Sequence, residues 1–181
     1  MAKTLIGSAH TASGSPAVIT ITGIDDTYDV YEFHLINIHP VDDNVDFSFQ
    51  VNAGTNTGYN DSLITSTHFT EYHHETNGTT NGPYYDEETD LAQLANEQIL
   101  GRYFGNEDDE SGSGVLTLYD PSSPTYVKHF TSRIQVLTRN EYFHNRHIAG
   151  YINDTTAVVA IRFKFSSGSI DAGEIKMFGV T

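Results

Sequence analysis

Apolar and polar residues alternate along several stretches of this chain. Val45, Phe47, Phe49 and Val51 fall on one side of an extended backbone, with Asp46, Ser48, Gln50 and Asn52 on the other. A two-residue period of this kind belongs to a half-buried antiparallel strand. It returns near the end, where Ala157, Val159, Ile161, Phe163 and Phe165 oppose Val158, Ala160, Arg162 and Lys164. Ser166-Ser167-Gly168-Ser169 breaks that pattern, and Ile175 and Met177 resume it beside Glu174 and Lys176. The chain is therefore predicted to close in a β-ribbon whose last strand is built into the fold.

Further strands are predicted at 17–22, at 29–39 (ended by Pro40), at 61–74, 115–119, 126–137 and 140–151. The tight turn Val41-Asp42-Asp43-Asn44 predicts that 29–39 and 45–51 form a hairpin. Polar, Gly- and Asn-rich segments at 53–60, 75–88 and 106–114 read as loops. One stretch, Asp90 to Gln98, is helix-like: Thr89 or Asp90 is available as an N-cap, and Leu91 and Leu94 lie three apart. About eight or nine strands separated by Gly, Pro and Asn turns predict an all-β, antiparallel, jelly-roll-like β-sandwich, with at most one short helix near 90–98. The expected organisation is an N-terminal arm, 1–16, and a single domain, 17–181.

Composition narrows the function classes. The 181 residues are 38% hydrophobic and 12% aromatic, too apolar for a disordered chain. There is no cysteine, so neither disulfides nor thiolate metal sites are available, and neighbouring copies are the expected supplement to the core. The net charge of −15 disfavours nucleic acid and anionic membrane surfaces as partners. No apolar run has the length of a membrane span, and the first residues lack the apolar core of a signal peptide, so synthesis in a cytoplasm is expected.

Candidate chemistry is sparse. His73-His74-Glu75 follows Glu71, but adjacent histidines on a strand face opposite ways and cannot share one metal. His144 and His147 also face apart on a strand, and Arg146 between them opposes a cation. Asp42-Asp43-Asn44-Val45-Asp46 and Glu107-Asp108-Asp109-Glu110 are oxygen-rich, yet neither has the Asp-x-Asp-x-Asp-Gly frame of a calcium loop. The Gly-x-Ser-x-Gly elbow, the phosphate loop and a cysteine nucleophile are all missing. No catalytic, cofactor or metal residue is assigned, and the protein is expected not to be an enzyme.

Three blocks, residues 27–52, 116–130 and 154–180, resemble a family of small proteins encoded by tailed, especially marine, bacteriophages. That family closes with a phrase like SSGNI-x-x-G-T-x-x-LYGI; Ser166-Ser167-Gly168-Ser169-Ile170 and Gly173 to Val180 stand in those places. Phe178, Val180 and the additional Thr181 depart mildly from it. The resemblance implies a β-sandwich structural protein of the virion, without catalytic residues to carry over. A capsid decoration or cement protein is the expected role, with other virion proteins as partners and a homotrimer or other homo-oligomer as the assembly. Expected contacts are the arm, the loop around Tyr84 and Tyr85, and the cluster Tyr142, Phe143 and His144. The alternative is a tail-fibre or tail-spike domain whose loops at 53–60, 75–88 and 105–114 meet host surface glycan.

Overall fold

Strands account for all the regular structure of the described residues, 2–54, 58–59 and 61–181, in a computed structural model of the chain. Met1 of the expected arm and residues 55–57 and 60 of the expected 53–60 loop lie outside them. In chain order the strands are β1 (Lys3–Leu5), β2 (His10–Thr11), β3 (Ile19–Thr22), β4 (Val30–Pro40), β5 (Val45–Ala53), β6 (Ile64–His74) and β7 (Thr80–Tyr85). There follow β8 (Ala92–Leu94), β9 (Gln98–Phe104), β10 (Gly112–Tyr119), β11 (Lys128–Leu137), β12 (Tyr142–Ile152), β13 (Val158–Phe165) and β14 (Ile170–Val180). They form an antiparallel sandwich of unequal halves. The larger sheet runs β1-β14-β4-β10-β11-β12-β6-β7, with β2 also on β14 and β8 also on β6; the smaller runs β3-β13-β5-β9.

The predicted hairpin of 29–39 with 45–51 does not form. β4 pairs with β10 and β14 in the larger sheet, and β5 with β13 and β9 in the smaller. The turn at 41–44 instead carries the chain across the sandwich. Both strands have an almost continuous apolar side, and facing sheets bury those sides against each other where a hairpin would only set them next to each other. The expected terminal ribbon divides in the same way: β13 lies in the smaller sheet and β14 in the larger.

Aromatic rings fill the space between the sheets. Phe47 stacks on Phe163 at 5.9 Å, Phe104 meets Phe165 at 5.2 Å, and Phe33 and Phe130 reach across from the larger sheet to Phe163 and Phe49. Along β13 the predicted alternation breaks. A bulge between Val158 and Ala160, opposite Ala53 and Asn52, turns Val158 inward and leaves Val159 43% exposed.

The segment 90–98 is not a helix. Ala92–Leu94 pairs with β6, and Gln98 already begins β9. Leu91 is buried while Leu94 is 46% exposed, so the two do not share a face. The Thr89 hydroxyl is spent inside the fold, 2.6 Å from His68 Nδ1, and not on a helix cap. The expected polar loop at 75–88 contains β7, an edge strand, and β9 is a strand that hydrophobic alternation did not reveal. The arm continues the larger sheet along the chain's own last strand: Lys3 to Leu5 pair with Val180 to Phe178, and His10 and Thr11 with Ile175 and Glu174.

Candidate functional site

β6 and β12 lie side by side, His144 opposite Tyr72, Asn145 opposite Glu71, Arg146 opposite Thr70 and His147 opposite Phe69. Their side chains alternate between two very different environments.

On the inner side, beyond the edge of the smaller sheet, lies a buried polar cluster. Arg146 is wholly buried; its Nη1 donates to Asp86 Oδ2 at 3.1 Å, Thr70 Oγ1 at 3.3 Å and His68 Nε2 at 3.3 Å, and its Nη2 to His144 Nδ1 at 3.1 Å. A guanidinium can only donate, so both imidazole nitrogens are unprotonated acceptors. His68 then carries its proton on Nδ1 and gives it to Thr89 Oγ1. Burial, reinforced by the Arg146 charge, pushes His68 down to about 3 and His144 down to about 4. Arg102, from β9, approaches the other oxygen of Asp86 at 3.8 Å and pairs with Glu88 at 2.7 Å. These contacts hold the 86–91 link against the sheet, while the buried Nε atoms of Arg146 and Arg102 make no hydrogen bond to the described residues.

Among the described residues, no further layer covers the outer side of the larger sheet. Here Asn145, although 6% exposed, is the centre of a surface constellation. Its Oδ1 accepts from Arg133 Nε at 3.1 Å and Gln135 Nε2 at 3.2 Å. Its Nδ2 donates to Glu71 Oε1 and lies 3.0 Å from His147 Nε2. Three adjacent strands, β11, β12 and β6, thus present a guanidinium, an imidazole and a carboxylate in fixed relative positions. β7 forms one wall: a Cβ at Gly82 would lie 2.5 Å from Glu71 Cα, so this close approach needs a glycine. Phe143 and His73 complete a groove of about 480 Å³. An adjoining groove of about 430 Å³, with Phe69, Thr67, Thr117 and Thr131, shares Arg133 with it.

The five expected contact residues do not form one surface. Phe143 (48% exposed) and Tyr85 (39% exposed) lie on the outer face, Tyr85 packed edge-on to Phe69 at 5.3 Å. Tyr84 and Tyr142 are half-buried on the inner side, each edge-on to Tyr72. His144 is buried against Arg146 and is not a surface contact. Tyr84 and Tyr85 stand on β7 and not in a loop. His73 and His74 face opposite ways, as do His144 and His147: His73 lines the groove, while His74 Nδ1 accepts the Thr76 amide. The acidic stretches are partly spent on the fold, with Asp42 accepting from Ser167 Oγ at 2.9 Å and Glu110 buried and accepting the Glu107 amide at 2.9 Å.

Arg133, Asn145 and Glu71 as a set escaped the sequence reading because each lay inside a different strand. Their outward positions were readable; their adjacency required the pairing register. Compared with known protein families, with curated proteins and with solved structures, the chain matches none.

Proposed function

We propose that this chain is a non-enzymatic structural protein of a tailed-bacteriophage particle, assembled in the host cytoplasm, and that it acts as a capsid decoration protein docking through the outer face of its larger sheet. The observation that carries this reading is that face itself: Phe69, Tyr119 and Phe143 stand between 41% and 48% exposed on strands whose other side is buried, and Tyr85, 39% exposed on the edge strand β7, packs against Phe69. A surface so preordered loses little freedom on docking, and aromatic side chains contribute most where they enter a partner's surface. The phage-like strand blocks support the assignment to a particle. The arm lies on its own β14, which moves the proposed contact from the arm to the sheet.

Co-sedimentation with undecorated capsids tests it. A Phe69→Ala, Tyr85→Ala, Phe143→Ala variant should lose binding at unchanged fold. Equal co-sedimentation of that variant, or density for the protein on the tail in a cryo-EM map, would overturn the proposal.

A second reading, a receptor-binding domain of a fibre or spike, is favoured by the polar constellation over Asn145, which a purely protein-docking surface does not need. Competition of the purified protein with phage adsorption tests this reading.

A further inference from the structure

We infer that the groove over Asn145 is a carbohydrate site, taking a neutral saccharide that presents two adjacent hydroxyls to Arg133 and Glu71. The inference deepens the receptor-binding reading and rests on it only for where the sugar comes from.

The site is built before any ligand arrives. Asn145 is buried and spends both ends of its amide on neighbours: Arg133 and Gln135 at Oδ1, Glu71 and His147 at Nδ2. Its role is to orient them. What they leave open faces the groove. Among the described residues Arg133 is hydrogen-bonded through Nε alone, so its two terminal NH2 groups are unengaged. Glu71 Oε2 accepts no hydrogen bond from those residues, and His147 bonds through Nε2 alone.

The mixture of free groups selects the ligand class. A guanidinium can only donate and an ionised carboxylate can only accept. A carboxylate or phosphate ligand would satisfy Arg133 but meet repulsion from Glu71, in a protein of net charge −15. A cationic ligand would meet Arg133. A hydroxyl both donates and accepts, so neighbouring hydroxyls can accept from Arg133 and donate to Glu71 together. Phe143, 48% exposed at the rim, offers an aromatic face to the C–H side of a sugar ring. The groove's size of about 480 Å³ is that of small-ligand sites. The second groove, on the far side of Arg133, is floored by Thr67, Thr117 and Thr131 and rimmed by Phe69, and gives room for a further ring. Phe69 lies opposite His147, four residues along β12 from Phe143, so the backbone positions of the two aromatics are about 13 Å apart along the strands, one at each groove.

The test uses the full-length purified protein against an array of neutral glucose-, mannose- and galactose-based oligosaccharides, with uronate- and sialate-bearing ones alongside. Hits are titrated by calorimetry. Binding to a neutral oligosaccharide is expected, and Arg133→Ala and Phe143→Ala should each weaken it at least roughly tenfold with unchanged melting temperature. Glu71→Gln, which keeps an acceptor for Asn145, should weaken it too. Val159→Ala, on the smaller sheet, should leave it unchanged. A neutral sugar that binds the protein without competing with phage adsorption supports the site while removing the receptor reading. Binding confined to acidic sugars, no binding to any neutral sugar, or affinity undiminished in all three groove variants would overturn the inference. So would a wild-type dimer that Phe143→Ala dissolves in a protein binding no sugar, since the face would then belong to a second copy.

Discussion

Arg146 and Asp86 meet at 3.1 Å, both side chains buried. The arginine comes from β12, in the body of the larger sheet, and the aspartate from the link after β7; their pairing pins an edge segment to the sheet's interior. A buried pair is a weak net stabiliser, but removing one partner strands the other. Asp86→Ala should therefore cost about 3–5 kcal/mol in urea unfolding, and the double variant Asp86→Leu, Arg146→Met should cost less than Asp86→Ala alone.

Stability should fall in mild acid. His68 and His144 stay neutral in the fold, at about 3 and about 4, while in the unfolded chain each titrates near the ordinary histidine value of about 6.5. Below about pH 6.5 the unfolded state binds protons that the folded state refuses, so stability present above that pH is lost as pH falls. The loss should approach about 1.4 kcal/mol per pH unit for each histidine until pH nears 4. Urea midpoints from pH 7.5 to 4.5 check this; His68→Gln should flatten the slope.

Gly82 sets the wall of the groove. It holds φ at 117°, and any side chain there would strike the Glu71 backbone. Gly82→Ala should cost about 1–3 kcal/mol locally and free β7 from β6. Faster amide exchange at residues 80–85, with the rest of the sheet unchanged, is the expected signature.

The arm covers an edge. The Ile6 amide donates to Met177 O at 2.8 Å and that of Ala12 to Gly173 O at 3.0 Å, while Ala12 is buried and Ile6 partly so. Deleting residues 1–16 should leave the sandwich folded but lower its stability by about 2 kcal/mol, and should promote self-association along the bared β14. Thermal melts and light scattering against concentration read the two effects separately.

Much of this molecule was legible before folding was considered. The alternation of Val45 to Val51, the β-branched 17–22 segment and the Gly, Pro and Asn turns determine that the chain is all-β and antiparallel, because a two-residue period suits a pleated strand and no other regular structure. The same period indicates that His73 and His74 part company. Sheet membership was beyond it. Whether Pro40 and Val45 are joined by a hairpin or by a crossing between sheets depends on where their apolar faces find partners, and those partners are far along the chain: Phe163 packs on Phe33 and Phe130 on Phe49, 130 and 81 residues away. A bulge at Val158 to Ala160 reversed one face for the same reason. The polar cluster around Arg146 and the constellation around Asn145 were decided by register alone: one residue of slip between β6 and β12 would exchange the buried guanidinium for the exposed imidazole beside it. Sequence determined which residues can lie on a strand's two sides; only the tertiary structure decided which side met the core and which met the solvent.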